Sequence, residues 1–248
     1  MCYIFNIFKG AEKCAEKCID FFINILSYCC RRINRGIMIG KDEMNMYLES
    51  CEKKYLNKEV FSNISYYFKN EVYFLAGKNG SGKSTLMRCL CKFEPFTSGI
   101  FKSDNKKILY LPDKSLTQKF LTIYENIQLL YALHGIRIND DIKKCIHTIF
   151  NEEQLYTLAE KASLGMTLKV GCSLIFARKH WDFIAIDETL SSIDIHSRDI
   201  IIDNCLQLTD EGVSTIIIHH GILSQRFDNR LSKLLLTRDK LCEVHTSV

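Results

Sequence analysis

The run GKNGSGKST, Gly77 to Thr85, constrains the fold of this chain more than any other stretch. It fits the pattern G-x-x-x-x-G-K-[ST] through Gly77, Gly82, Lys83 and Ser84, and it stands between a strand-like run, EVYFLA, and a helical run, STLMRCLCKF. A glycine-bearing turn between strand and helix aims successive backbone N–H groups at one spot, and the helix dipole adds positive potential there. Phosphate oxygens suit such a spot. The pattern places Lys83 to reach the β- and γ-phosphates of a nucleotide and the Ser84 hydroxyl to hold Mg²⁺, with Asn79, Gly80, Ser81 and Thr85 completing the cradle.

A loop of this kind needs a parallel α/β setting, and the remaining pattern predicts one. MYLESC and EVFSNISYYF precede the loop as β-type runs, and KKILYLP (Lys106 to Pro112) follows a turn at Thr97-Ser98-Gly99. FIAID (Phe183 to Asp187) and STIIIHH (Ser214 to His220) are continuous apolar runs, as expected of strands covered on both faces. Between them, Thr122 to Leu174 keeps helical spacing and reads as an insertion, and the helix after the loop is expected to continue to Phe93 until Glu94-Pro95 stops it. Strands alternating with helices predict a parallel α/β core. FIAID carries Asp187 and Glu188 to the carboxyl end of its strand, where open α/β sheets bind ligands. There Asp187 is suited to Mg²⁺ and Glu188 to polarising a water that attacks a γ-phosphoryl group.

Composition excludes more than it assigns. Of 248 residues, 47% are hydrophobic and 25% charged, which fits a globular chain, and a net charge of +4, dispersed, gives no reason to expect nucleic acid as a partner. The 12 cysteines follow no signal peptide and lack zinc-site spacing, so they read as reduced, mostly buried thiols. Residues 1–45 differ from the rest and form an N-terminal extension with five of those cysteines. Within it Glu16 to Cys30 reads as an amphipathic helix followed by arginines, with an apolar run short of the ~20 residues needed to span a bilayer.

From about Met46 onward the chain resembles the ATP-binding cassette family, whose motifs occur here in the family's order. ASLGM (Ala162 to Met166) resembles the LSGGQ signature, and DETLSSID, through Asp194, resembles the D-loop. The resemblance implies a P-loop NTPase with a RecA-like parallel sheet core, an antiparallel β subdomain and a helical insertion subdomain over about 113–176, the whole cassette covering 46–248. It implies that Tyr55 stacks on adenine, and that Ser163, Gly165 and Asp194 serve the nucleotide of a partner subunit across a head-to-tail dimer. It also implies a switch histidine: counting from Gly212 favours His220, which we take first, and counting back from Asn229-Arg230 favours His219.

The chain departs from the family's pattern at several positions. Asp113 stands where the Q-loop glutamine is usual, with Gln118 five residues later, and it becomes a candidate Mg²⁺ ligand. Leu164, Met166, Thr189 and Trp181 replace usual residues, and the SLGM form resembles ATPase subunits that pair with separately encoded permeases. The implied protein binds ATP and Mg²⁺, hydrolyses ATP, works as a homodimer or cassette heterodimer with a separate transmembrane permease, and sits peripherally on the cytoplasmic face of the membrane. A regulatory or non-transport cassette with weak hydrolysis is the alternative.

Overall fold

A computed structural model describes residues 46–56, 58–219, 225–227 and 230–244. The extension over 1–45, with its expected helix, and His220 lie outside the described residues.

Two sheets organise the described residues. β1 (Met46–Tyr55), β2 (Lys58–Phe68) and β4 (Ser98–Lys102) form an antiparallel sheet in the order β2-β1-β4. β1 alternates buried and open positions over much of its length, as a strand with one solvated face should. The second sheet has the order β5-β6-β7-β3-β8-β9, from β3 (Val72–Ala76), β5 (Ile108–Leu111), β6 (Phe183–Asp187), β7 (Ser214–Ile218), β8 (Ser232–Leu236) and β9 (Leu241–Glu243). Its strands run parallel except β9, which is antiparallel to β8.

Every residue of β6 and β7 is buried, which explains their unbroken apolar runs. Successive side chains of a strand point to opposite faces. Ile184 and Ile186 accordingly join a core built with the helices of the middle third, while Phe183 and Ala185 join one built with β1, β2 and Leu86, Met87 and Leu90. The fold is that of a P-loop NTPase: an α/β core with an antiparallel β sheet beside it.

The first described helix, α1 (Lys83–Leu90), stops short of the expected Phe93. Lys92 adopts φ 62°, and the Phe93 N–H bonds back to the Arg88 carbonyl at 2.9 Å. This is the left-handed termination usually made by glycine, so the helix ends before Pro95 can act. The middle third folds as α2 (Ile123–Leu133), α3 (Asp140–Ile149), α4 (Glu152–Tyr156) and α5 (Leu164–Cys172), with a 3₁₀ turn over Ser173–Phe176. α6 (Ile195–Thr209) lies between β6 and β7. Because β3, β5, β6 and β7 are parallel, the Gly77 loop, Asp113, the Asp187–Glu188 pair and His219 all follow the carboxyl ends of their strands, on one edge of the sheet.

Candidate functional site

α1 begins differently from every other described α-helix. Thr122, Asn139, Asn151, Ser163 and Asp194 each cap a helix with a side-chain oxygen, but α1 starts at Gly82, which has none, and its first turn holds no acid. Its first N–H groups are therefore left for an external acceptor. Gly82 is required twice over: its φ is 93°, and a Cβ there would lie 2.5 Å from Val60 Cγ1 of β2. Lys83 is buried, and its ammonium donates to the carbonyls of Gly77 (3.0 Å) and Lys78 (3.3 Å), folding back over the loop. Ser81 Oγ is buried without a hydrogen-bond partner among the described residues, a donor left for an oxygen-rich ligand.

Ser84, next along α1, donates from Oγ to Asp187 Oδ1 at 3.0 Å, joining residues 103 apart in sequence. Tyr110 from β5 donates its hydroxyl to the other oxygen of Asp187 at 2.9 Å. Burial pushes the Asp187 carboxyl above its ordinary range; the Tyr110 and Ser84 bonds oppose this, and the charges of Glu188 and Asp113 add to it. Asp113 is exposed, yet it stands close enough for its charge to act on Asp187. No cluster of three or more His, Cys, Asp or Glu among the described residues encloses a metal by protein groups alone. Mg²⁺ is usually held by one or two carboxylates together with substrate phosphates. A buried, destabilised carboxylate beside a hydroxyl is a fitting donor pair for it.

Glu188 follows at φ 59°, a left-handed conformation unusual for a residue with a side chain. Its N–H donates to the Ile218 carbonyl at 2.9 Å, and its own carbonyl accepts from the Ser191 N–H at 3.0 Å. His219 lies just beyond β7, with Nδ1 3.1 Å from Ser191 Oγ and Nε2 3.4 Å from an Arg198 terminal nitrogen. Arginine only donates, so in that contact Nε2 is the acceptor.

Tyr55, at the end of β1, is 41% exposed, with the Lys53 ammonium 4.8 Å from its ring centroid. Its hydroxyl bonds Glu94, which also takes Arg88 Nε at 2.7 Å, and Arg88 reaches Thr85 Oγ1 at 3.3 Å. A chain of polar contacts thus runs from the ring to the end of the phosphate loop. Burial alone would raise the Glu94 carboxyl, but Tyr55, Arg88 and Lys53 hold it down at about 2.

The signature and D-loop residues gather elsewhere. Ser163 is exposed and caps α5, accepting from the Met166 N–H at 3.2 Å. A Cβ on Gly165 would fall 2.5 Å from the Ser192 carbonyl oxygen, so only glycine allows α5 this close to that segment. Asp194 caps α6 through the Ser197 N–H at 2.8 Å and pairs with Lys169 at 3.3 Å. Among the described hydrogen bonds and ion pairs, none joins these three residues to Gly77–Thr85.

Several residues of the site escape motif reading. Tyr110 and Glu94 act through single side-chain contacts that no local pattern encodes. Lys169, 3% exposed, spans Ile149 O (2.6 Å), Asp194 and Ser197 Oγ (3.4 Å). Asn126, buried in α2, donates to the carbonyls of Gln118, Leu121 and Thr122 and accepts the Gln118 N–H, shaping the segment after Asp113. Apolar periodicity predicts α2 but is silent on a buried amide within it.

The family described as ABC transporter matches residues 61–191. A methionine import ATP-binding protein of Bacillus cereus is 28% identical over 202 residues, covering 72% of this chain and 58% of its own length. A zinc import ATP-binding protein of Rickettsia prowazekii is 36% identical over 155 residues, covering 60% and 64% respectively. The chain thus spans about three fifths of these relatives. A phosphonates import ATP-binding protein of Fusobacterium nucleatum is 25% identical, with 75% and 87% covered. Among solved structures, an ATP-binding subunit of an ABC transporter superposes with TM-score 0.68 at 15% identity, over 81% of this chain and 90% of that one. A dimeric ATP-binding cassette in a post-hydrolysis state, bound to ADP and phosphate, gives 0.64 at 18% identity, over 82% and 99%.

Proposed function

Since this chain belongs to the ABC transporter family, we propose that it binds and hydrolyses ATP as the cassette subunit of a transporter, paired with a separate membrane permease. The observation that carries the reading is the Ser84–Asp187 contact, which closes the uncapped start of α1 against the acidic end of β6. Gly77, Asn79, Gly80, Ser81, Gly82 and Thr85 form the phosphate cradle, and Lys83 exchanges its two carbonyls for phosphate oxygens. Ser84, Asp187 and Asp113 hold Mg²⁺, which supplies charge neutralisation at the phosphates. Tyr55 presents its ring to adenine and Glu188 polarises the attacking water. A histidine after β7, His220 or His219, orients that water. Ser163, Gly165 and Asp194 serve the site of a second subunit, in a homodimer or a heterodimer, through the start of α5.

The helical lobe over 113–176 and the segment around Asp113 to Glu125 transmit closure to the permease, which keeps the chain at the cytoplasmic face of the membrane. Among the described residues no helix is long and apolar enough to cross a membrane itself. The relatives named above are import ATP-binding proteins for methionine, zinc and phosphonates.

Asp113 supports a second reading, a regulatory cassette that binds ATP and turns it over weakly, because it adds negative charge where phosphates bind. ATP turnover by the full-length protein separates the two. We expect Glu188→Gln to lower hydrolysis by roughly 10²-fold or more while ATP is still bound, and to accumulate an ATP-dependent dimer on size-exclusion chromatography. Glu188→Gln hydrolysing at the wild-type rate would exclude Glu188 as the base. ATP binding without turnover by the wild-type chain favours the regulatory reading.

A further inference from the structure

Glu188 holds a backbone conformation that is strained in a residue with a side chain, and such a conformation persists only where the surroundings over-determine it. Two tethers are backbone bonds, to Ile218 and from Ser191. The third is a side chain. Thr189, 2% exposed, directs its hydroxyl at the carbonyls of Leu111 (2.8 Å) and Pro112 (2.9 Å), at the end of β5 immediately before Asp113.

The hydroxyl has a single proton shared between two acceptors 77 and 78 residues away in sequence. It therefore bonds the residue after Glu188 to the strand end that carries Asp113, across the β5–β6 pair. The last β5–β6 pair in the register is Leu111 with Ile186, so beyond Ile186 the ladder no longer joins these two strands, and Thr189 continues the connection where the ladder stops. Ser191, two residues on, contacts His219, so displacement of Thr189 would also be felt on the β7 side.

We infer that Thr189 is a positioning residue for hydrolysis: its hydroxyl locks the left-handed Glu188 backbone to the Leu111–Pro112 strand end and so fixes the Glu188 carboxylate relative to the phosphate loop. The inference rests on reading Glu188 as the base. Its consequence is that the hydroxyl sets turnover rather than nucleotide affinity, because the Gly77–Thr85 cradle makes no hydrogen bond to Thr189 among the described residues.

The test is steady-state ATP hydrolysis by the full-length protein carrying Thr189→Val, Thr189→Ser or Glu188→Gln, with binding of a fluorescent ATP analogue measured on each. Thr189→Val keeps the branched shape and removes the hydroxyl, and we expect kcat to fall roughly ten- to a hundred-fold with KM and analogue affinity changed less than about twofold. Thr189→Ser restores the hydroxyl and should keep kcat within about threefold of wild type. Equal losses in the valine and serine variants, or full activity in the valine variant, would overturn the inference. If Thr189→Val does not fold, Thr189→Ala is compared with Thr189→Ser under the same criteria. Glu188→Gln separates the two failures: turnover lost in Glu188→Gln but kept in Thr189→Val defeats only the role of Thr189, whereas turnover kept in Glu188→Gln defeats the reading of the base.

Discussion

Asp187 shows at single-residue scale how function and stability oppose each other. Burial raises its carboxyl, the bonds from Tyr110 and Ser84 only partly compensate, and Glu188 and Asp113 add repulsion. A folded-state pKa above the unfolded one contributes stability that is present below the unfolded pKa and is lost as pH rises through the folded pKa. At neutral pH the ionised group therefore weakens the ligand-free fold. Asp187→Asn keeps the shape and removes the charge, so it should raise the unfolding temperature of ligand-free protein at pH 7, by about 2–4 °C for each kcal/mol recovered. The gain should shrink as pH falls and the wild-type carboxyl, raised by burial, takes up its proton. Thermal unfolding followed by fluorescence of Trp181, the single tryptophan, reads this directly. A lower unfolding temperature for Asp187→Asn at pH 7 would contradict the account.

Among the elements, α5 shows how a helix can be tied to its neighbours by charge and by absence of a side chain. Lys169 joins the end of α3 to the cap of α6 through Ile149 O, Asp194 and Ser197. Burial alone would raise the Asp194 carboxyl, but the Ser197 hydrogen bonds and the Lys169 charge hold it below the usual range. Lys169→Met removes the 2.6 Å donor to the Ile149 carbonyl, leaving it only the long Ser197 Oγ contact at 3.5 Å, and should cost about 1–3 kcal/mol in urea unfolding, while Lys169→Arg should recover part of that loss. At the other end of the helix, Gly165→Ala would put a methyl against the Ser192 carbonyl, an atom that cannot rotate away. Either α5 or the segment before Asp194 must shift. We expect a turnover loss of roughly tenfold or more with ATP-analogue affinity nearly unchanged, and unaltered turnover would show that this close approach is dispensable.

The whole molecule should lose stability on the acid side. His134 closes α2 and His180 precedes β6, and both rings meet Trp181 edge-on, with centroids at 5.1 and 4.6 Å. Burial pushes both imidazoles below the ordinary value of 6.5; the charge of His180 adds to the shift at His134, and for His180 Lys107 adds to the shift while Asp182 opposes it. A depressed folded-state pKa contributes stability present above the unfolded value and lost as pH falls through the folded one. The unfolding temperature should therefore drop as pH falls below about 6.5, and the drop should be shallower in a His134→Gln, His180→Gln double variant. Identical pH profiles for the two proteins would show that the acid sensitivity lies elsewhere.

The order of strands and helices, the phosphate loop and the acidic end of β6 were legible in the sequence because each is a local pattern: glycine spacing, an unbroken apolar run, a carboxylate pair at its end. The likeness of ASLGM to the family signature also predicts a helix opening at Ser163, where α5 begins. The end of α1 was misjudged because Lys92 takes a conformation that glycine usually signals. Thr189, Tyr110, Lys169, Asn126 and Glu94 were not legible as site residues, since a hydroxyl, amine, amide or carboxylate has no pattern until a partner is brought to it. Parallel pairing of β3, β5, β6 and β7 sets Thr189 beside Pro112, 77 residues away, and Asp187 beside Ser84, 103 residues away. Sequence alone determined which groups this protein has for phosphate chemistry. Tertiary structure decided which backbone holds each of them still, because a hydrogen bond depends on distances of about 3 Å that only the packed sheet defines.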